Sequence, residues 1–234
     1  MKLMDKMRDI FALPEPPQEA RLGSEPEPAG AFFAPAGSPP RSVRFLLDNS
    51  GSMGDTDFPP SRIEAAVNAA ENTVNGLARS APECLVGIGT FGSGFHLCID
   101  PTPAGAGYQD IINSLGNLGS GGSTQMAKGL RGIQKMGDKC PEGGPNLVLM
   151  LTDGHNTGRS PRKIAEELKA SGAEFWAIGI GGSPSDVDEA LLREIVSSED
   201  HYIFIGNWEG ADAISDTFQN IVNLTIIDED NDDE

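Results

Sequence analysis

The sequence predicts an α/β fold, in which a doubly wound, mostly parallel central sheet with one antiparallel edge strand carries helices on both faces. The main observation is that short apolar runs alternate with stretches of helical periodicity from about residue 42 to about residue 224. A second observation is that three oxygen-bearing turns each follow a strand or open a helix, and such turns converge at one end of a parallel sheet. No internal repeat is visible.

Three segments are predicted along the 234 residues. Residues 1–11 place several apolar side chains near one helical face and are predicted to form a short amphipathic helix. Residues 12–41 hold eight of the 17 prolines and are predicted to be an extended, flexible linker. The folded domain is predicted at residues 42–224, and residues 225–234 form an acidic, disordered tail.

The first half of the domain begins with the apolar run Val43–Leu47, which is predicted to be a buried strand. Ser61 is a plausible N-cap, because an apolar stripe at helical spacing follows it. Leu85–Phe91 is predicted to be a strand, and Phe95–Ile99 is predicted to return beside it as the antiparallel edge strand through the short turn 92–94. Two further helices are predicted at Tyr108–Leu115 and Gln125–Met136.

The second half contains the most apolar strand of the chain, Leu147–Leu151. The helix after it is predicted to have Ser160 as its cap, Pro161 at its first position and Gly172 after its end. The remaining elements are predicted to be a strand at Glu174–Ile180, a helix at Val187–Val196, a strand at Tyr202–Ile205 and a closing helix at Ala211–Leu224.

The charge balance excludes several classes of partner. The formal net charge is −18, which argues against a nucleic-acid surface or an anionic membrane surface. Residues 228–234 carry six acidic side chains, and removing their charge still leaves −12. No stretch approaches the roughly 20 apolar residues of a membrane span, and residues 1–11 are too polar for a secretory signal.

The cysteine content predicts a reducing compartment. Cys84, Cys98 and Cys140 are odd in number and lack CxxC spacing, which favours free thiols. Together with the polar start of the chain, this predicts a cytoplasmic protein.

Three polar turns carry the chemistry of the sequence. Asp48-Asn49-Ser50-Gly51-Ser52 follows the first strand and places one carboxylate and two hydroxyls within five residues. Ser123 and Thr124 close a glycine-rich loop, and Thr152-Asp153-Gly154 ends the most apolar strand. Oxygen ligands of this kind at the mouth of a sheet suit a small, hard divalent cation. The residues therefore predict a metal site at one end of the sheet.

These turns resemble the metal-ion-dependent adhesion site (MIDAS) of von Willebrand factor type A (VWA) domains. The likeness runs from about Ser42 to about Leu224, and it implies a Rossmann-like sheet. All five positions of the MIDAS motif are filled, by Asp48, Ser50, Ser52, Thr124 and Asp153. The resemblance implies that the two serines and the threonine contact Mg²⁺ directly, while the two aspartates act through water. Mn²⁺ or Ca²⁺ are alternative ions.

The resemblance also implies how a partner binds. An open position on the ion receives a glutamate or aspartate side chain of a partner protein. Asn49, Met53, Ser123 and His155 are predicted to form the partner-binding rim, and residues 1–41 to offer a second contact. The chain is then a non-enzymatic, intracellular, Mg²⁺-dependent adaptor. Bacterial relatives of this kind often work beside AAA+ ATPases, protein kinases or phosphatases.

Two other functions remain open. A metal-dependent hydrolase would use a metal-bound water, with His155 as the candidate general base. A structural subunit would assemble through the metal and the acidic tail of a neighbour. The glycine pattern 87–92 matches a dinucleotide fingerprint but lies within a strand, so a packing role is predicted for it.

Overall fold

The computed structural model describes residues 41–116, 118–141 and 143–227. The predicted helix at residues 1–11, the linker up to residue 40 and the acidic run 228–234 lie outside the described residues. Within the described part, six strands form one sheet: β1 (Ser42–Asp48), β2 (Leu85–Phe91), β3 (Phe95–Pro103), β4 (Asn146–Thr152), β5 (Glu174–Gly181) and β6 (Tyr202–Gly206).

The strand order is β3-β2-β1-β4-β5-β6, and every neighbouring pair is parallel except β2 and β3. The predicted mostly parallel sheet with one antiparallel edge strand is therefore confirmed. In the register, Leu47 on β1 lies opposite Leu151 on β4. Because parallel strands end at the same edge of a sheet, Asp48 and Thr152 emerge side by side.

Six helices cover the sheet within the described residues: α1 (Arg62–Ser80), α2 (Tyr108–Leu115), α3 (Met126–Gly137), α4 (Arg162–Ala170), α5 (Glu189–Ile195) and α6 (Asp212–Val222). Alternate residues of the strands point to opposite faces, and this divides the apolar core in two. One core lies under α1, α2 and α6, and the other under α3, α4 and α5. Helices on both faces were predicted and are confirmed. None of the described helices is long and apolar enough to cross a membrane.

Several element boundaries differ from the sequence prediction. β3 continues past Ile99 to Pro103, because its pairing with β2 extends to Leu85. The helix predicted at Val187–Val196 begins later, since the Asp188 side chain accepts the backbone N–H of Leu191 and so acts as the cap. The fold also continues beyond the predicted end at Leu224. A turn of π-helix covers Asn223–Ile227, and Thr225 and Ile226 are buried.

The start of α4 corrects the predicted cap. The helix begins at Arg162, so Pro161 is the N-cap and Ser160 lies one residue outside. The Ser160 hydroxyl accepts two long hydrogen bonds of 3.4 Å, from the backbone N–H and from Nη1 of Arg162. Gly172 follows the helix with φ +82°, in the left-handed region that favours glycine, as predicted.

The cap of α1 gives a testable contribution to stability. The Ser61 hydroxyl accepts the backbone N–H of Glu64 at 3.3 Å and donates to the Glu64 carboxylate at 2.7 Å. We expect Ser61→Ala to lower the free energy of unfolding by about 1 kcal/mol, because one backbone donor loses its acceptor. Urea unfolding measures this. Ser80→Ala at the other end of α1 is the control, and an equal loss in both variants would contradict the capping role.

Candidate metal centre

Asp48 is held at the carboxyl end of β1 by two hydrogen bonds. Its Oδ1 accepts the backbone N–H of Ser50 at 2.7 Å, and its Oδ2 accepts the Thr152 hydroxyl at 2.6 Å. The residue is fully buried. Burial raises the pKa of the Asp48 carboxyl to about 6; the hydrogen bonds from Thr152 and Ser50 oppose this, and the nearby charge of Asp153 adds to it. A positive charge beside Asp48 would therefore stabilise its ionised form.

The serine loop connects Asp48 to Asp153. The chain turns in a short 3-10 helix at Gly51–Gly54, which places Ser50 Oγ 3.3 Å from Ser52 Oγ. Ser52 Oγ then donates to Asp153 Oδ1 at 2.8 Å. The predicted carboxylates and serines thus meet in one hydrogen-bonded cluster.

The glycine-rich loop lies directly against the serine loop. The backbone N–H of Gly121 donates to the carbonyl of Asn49 at 2.7 Å, and that of Gly51 donates to the carbonyl of Gly122 at 3.2 Å. Gly122 has φ +85°, a backbone conformation that residues other than glycine rarely adopt. This turn brings the following residues back towards β4.

Thr124 completes the group. It is buried, and its carbonyl accepts the backbone N–H of Thr157 at 2.9 Å. Its Oγ1 lies 3.3 Å from the point where a Cβ on Gly154 would stand. Because Gly154 directly follows Asp153, the threonine hydroxyl is next to the carboxyl end of β4. The structure therefore brings all five sequence-predicted residues to one edge of the sheet.

Arg62 is a further member of the cluster that the sequence analysis missed. Its Nη1 donates to Asp153 Oδ2 at 2.8 Å, while Nε and Nη2 donate to the two carboxylate oxygens of Asp57 at 2.7 and 2.8 Å. Hydrogen bonding to Arg62 lowers the pKa of Asp57. The position of Arg62 in the sequence could have indicated this role. A cation in the first turn of a helix is unfavourable next to the positive end of the helix dipole, so an arginine there is expected to have an acidic partner elsewhere in the fold.

Of the four predicted rim residues, three have side chains that reach solvent and one does not. Asn49 and Ser123 are half-buried beside the cluster, and Ser123 Oγ lies 3.3 Å from Ser93 Oγ. His155 is exposed, and its Nε2 is 3.1 Å from the carbonyl of Ser185. Met53 was wrongly placed on the rim. Its side chain is fully buried in the core under α1, because the 3-10 turn directs it inwards.

The donor set fits a hard divalent cation. It consists of two carboxylates and three hydroxyls, and Arg62 balances only part of the negative charge. Ligands at about 2.1 Å in octahedral geometry stand roughly 3 Å apart, and the separation of 3.3 Å between the Ser50 and Ser52 hydroxyl oxygens is close to this spacing. No group of three or more His, Cys, Asp or Glu side chains that could hold a metal lies among the described residues.

Comparison with known proteins identifies the family. Residues 42–219 match the family model of the von Willebrand factor type A domain. This chain belongs to the VWA domain family. The VWA chain is 31% identical over 154 residues to the uncharacterized protein YwmC of Bacillus subtilis, covering 60% of this chain and 66% of that protein. It is 25% identical over 173 residues to the human collagen alpha-6(VI) chain, covering 70% of this chain and 7% of the collagen chain.

Solved structures share the VWA fold. Proximal thread matrix protein 1 from the mussel byssus, solved with a zinc occupied MIDAS motif, has a TM-score of 0.64 at 21% identity and covers 80% of this chain and 46% of its own. BatB from Bacteroides thetaiotaomicron, a conserved hypothetical protein, has a TM-score of 0.63 at 19% identity, covering 79% of this chain and 98% of its own. VWA domains commonly mediate protein–protein interaction or adhesion.

Proposed function

We propose that this VWA domain is a non-enzymatic, Mg²⁺-dependent adaptor that binds an acidic side chain of a partner protein. The observation that carries the proposal is the meeting of two carboxylates and three hydroxyls at one edge of the sheet. The two serine oxygens stand 3.3 Å apart, which suits adjacent ligands of an octahedral ion. Ser50, Ser52 and Thr124 would hold the ion directly, and Asp48 and Asp153 would hold it through water. The bound ion supplies an electrophilic position for a carboxylate.

The surroundings of the cluster favour binding over hydrolysis. His155, the candidate general base, has its Nε2 directed at the carbonyl of Ser185. The three cysteines form no disulfide, which supports the intracellular location that we include in the proposal. Association with an AAA+ ATPase, a kinase or a phosphatase is part of the same proposal and rests on the family resemblance.

Selection from a displayed peptide library tests the proposal. Peptides captured in the presence of Mg²⁺ and released by EDTA are expected to share one essential aspartate or glutamate. Replacing that residue with asparagine or glutamine should abolish capture, because the amide does not supply the charge-assisted bond to the ion. Thr124→Ala is the matched control protein and should capture none of them. Peptides that stay bound in EDTA and tolerate the amide would contradict the proposal.

A further inference from the structure

A groove beside the metal centre concentrates positive charge on this acidic protein. It runs between the edge strand β3 and helix α3 and has a volume of about 440 Å³. Four cationic side chains line it: Lys128, Arg131, Lys135 and Lys139. The whole chain has only 17 lysines and arginines and a net charge of −18. A cluster of positive charge on a protein of negative net charge is not needed for solubility, so it indicates a specific ligand of negative charge.

The arrangement of these cations is set by α3. Lys128, Arg131 and Lys135 follow the i, i+3, i+7 spacing of one helix face. All three side chains are exposed. Among the described residues, Arg131 and Lys135 have no ion-pair partner, whereas Lys139 binds the Asp100 carboxylate at 2.7 Å. Two cations are therefore available to a ligand in the middle of the groove.

The floor of the groove is apolar. Phe95 packs so closely on α3 that a Cβ on Gly132 would overlap its ring, so the glycine makes this contact possible. Leu97 is 41% exposed and Met136 closes the helix side. A ligand for this groove therefore combines apolar contact with negative charge.

The backbone of β3 adds a third feature. β3 lies at the edge of the sheet and pairs only with β2 within the described residues, so one side of it lacks a strand partner. Pro101 and Pro103 have no N–H, which leaves residues 95–100 as the part that offers both donors and acceptors. Alternate side chains of an added strand stand about 6.7 Å apart, close to the rise of about 6 Å between Arg131 and Lys135 on the helix.

The groove is continuous with the rim of the candidate metal centre. Lys128 Nζ donates to the carbonyl of Ser93 at 2.8 Å, and Ser93 Oγ accepts the backbone N–H of Ser123 at 3.1 Å. Ser123 precedes Thr124, one of the five clustered residues. The upper end of the groove and the threonine loop are thus one hydrogen-bonded unit.

We infer that this groove binds an acidic, extended segment of a partner protein, which adds as a strand to β3 and directs alternate carboxylates to Arg131 and Lys135. The cationic side chains of the groove favour an acidic segment, and the unpaired edge of β3 favours a segment in the extended conformation. The inference does not need the cation. Where the proposed function also holds, the same partner places one carboxylate on the ion and continues along the groove.

Fluorescence anisotropy with a labelled ten-residue peptide of alternating glutamate and threonine tests the inference, in EDTA at low salt. Arg131→Glu combined with Lys135→Glu should weaken binding at least about tenfold, because attraction becomes repulsion. The control, Arg159→Glu combined with Lys163→Glu, changes the net charge equally on exposed residues elsewhere and should change binding less than about twofold. Similar losses in both double variants, or no loss in either, would overturn the inference. Thermal unfolding checks that both are folded.

Three further measurements separate the alternatives. The glutamine counterpart of the peptide should not bind, and equal binding of it would remove the role of charge. Deleting residues 228–234 should leave the affinity for the peptide unchanged. If the deletion instead raises the affinity strongly in the protein with Arg131 and Lys135, and not in the Arg131→Glu, Lys135→Glu variant, then the groove binds this chain's own acidic run and the inference is overturned. Single-stranded DNA that binds as tightly as the peptide would show a site selective only for charge. Because EDTA is present throughout, failure here leaves the adaptor proposal untouched.

Discussion

Arg62→Met is expected to lower the free energy of unfolding of the metal-free protein by about 3 kcal/mol, because it leaves a buried carboxylate without its partner. The Arg62 side chain is 10% exposed and that of Asp153 is not exposed at all. Methionine keeps much of the apolar stem but cannot donate to Asp153 or to Asp57. Urea unfolding in EDTA measures the loss.

Mg²⁺ is expected to reduce this loss. In the Arg62→Met variant, Asp153 has no positive partner in the metal-free state. A cation that binds the cluster therefore stabilises the variant more than it stabilises the native protein. The destabilisation should therefore be smaller in Mg²⁺ than in EDTA. Arg79→Met, at the exposed end of α1, is the control and should change stability by less than about 0.5 kcal/mol. A loss that is small in EDTA, or equal with and without Mg²⁺, would contradict this account of Arg62.

The fold was predictable because it depends on local patterns. The apolar runs at β1 and β4 each occupy one buried strand, and the turns after them contain the polar residues of the cluster. Once the strands are known to be parallel and adjacent, the convergence of Asp48 and Asp153 follows from topology. The convergence of the five residues of the predicted metal site could be expected for this reason, since each lies next to a strand end or a glycine-rich turn.

The contacts that sequence analysis missed depend on residues far apart in the chain. Arg62 and Asp153 are separated by 91 positions, and Thr152 and Asp48 by 104. No local periodicity marks such pairs. Arg44 is a similar case: it stands within an apolar strand, yet its guanidinium is buried and donates to the carbonyl of Ile133 at 2.6 Å.

Met53 was misplaced for a different reason. Its neighbours in the motif are polar, and the motif was therefore interpreted as a surface loop. An apolar side chain in a tight turn instead lowers the free energy of the folded protein by packing into the core. The closing helix was ended too early because the apolar residues after Leu224 were grouped with the acidic run. Burial of Ile226 shows that apolar residues after Leu224 belong to the folded domain.

Asp48→Asn is expected to reduce the stabilisation of this protein by Mg²⁺ by about half or more. A ligand that binds only the folded state stabilises it by about 2.7 kcal/mol at a concentration of 100 times its Kd. Removing one carboxylate from the cluster should weaken the ion's affinity by about 10- to 100-fold, so about 1.4 to 0.4 kcal/mol of that stabilisation remains at the same Mg²⁺ concentration. Thermal unfolding with and without Mg²⁺ measures the effect. Asp55→Asn, an exposed acid in the same loop, is the control and should retain the native response.

Without metal, the same substitution should stabilise the protein at neutral pH. The pKa of Asp48 is raised to about 6 by burial, above the ordinary aspartate value of about 3.9. Its contribution to stability is therefore fully present below the ordinary pKa and is lost as the pH rises through about 6. In EDTA, the native protein should lose stability between pH 5 and pH 7.5 relative to Asp48→Asn, as measured by urea unfolding at both pH values. If the asparagine variant is instead less stable at pH 7.5 and responds normally to Mg²⁺, then Asp48 serves only to hold Thr152 and Ser50 in place, and the adaptor proposal loses its central residue.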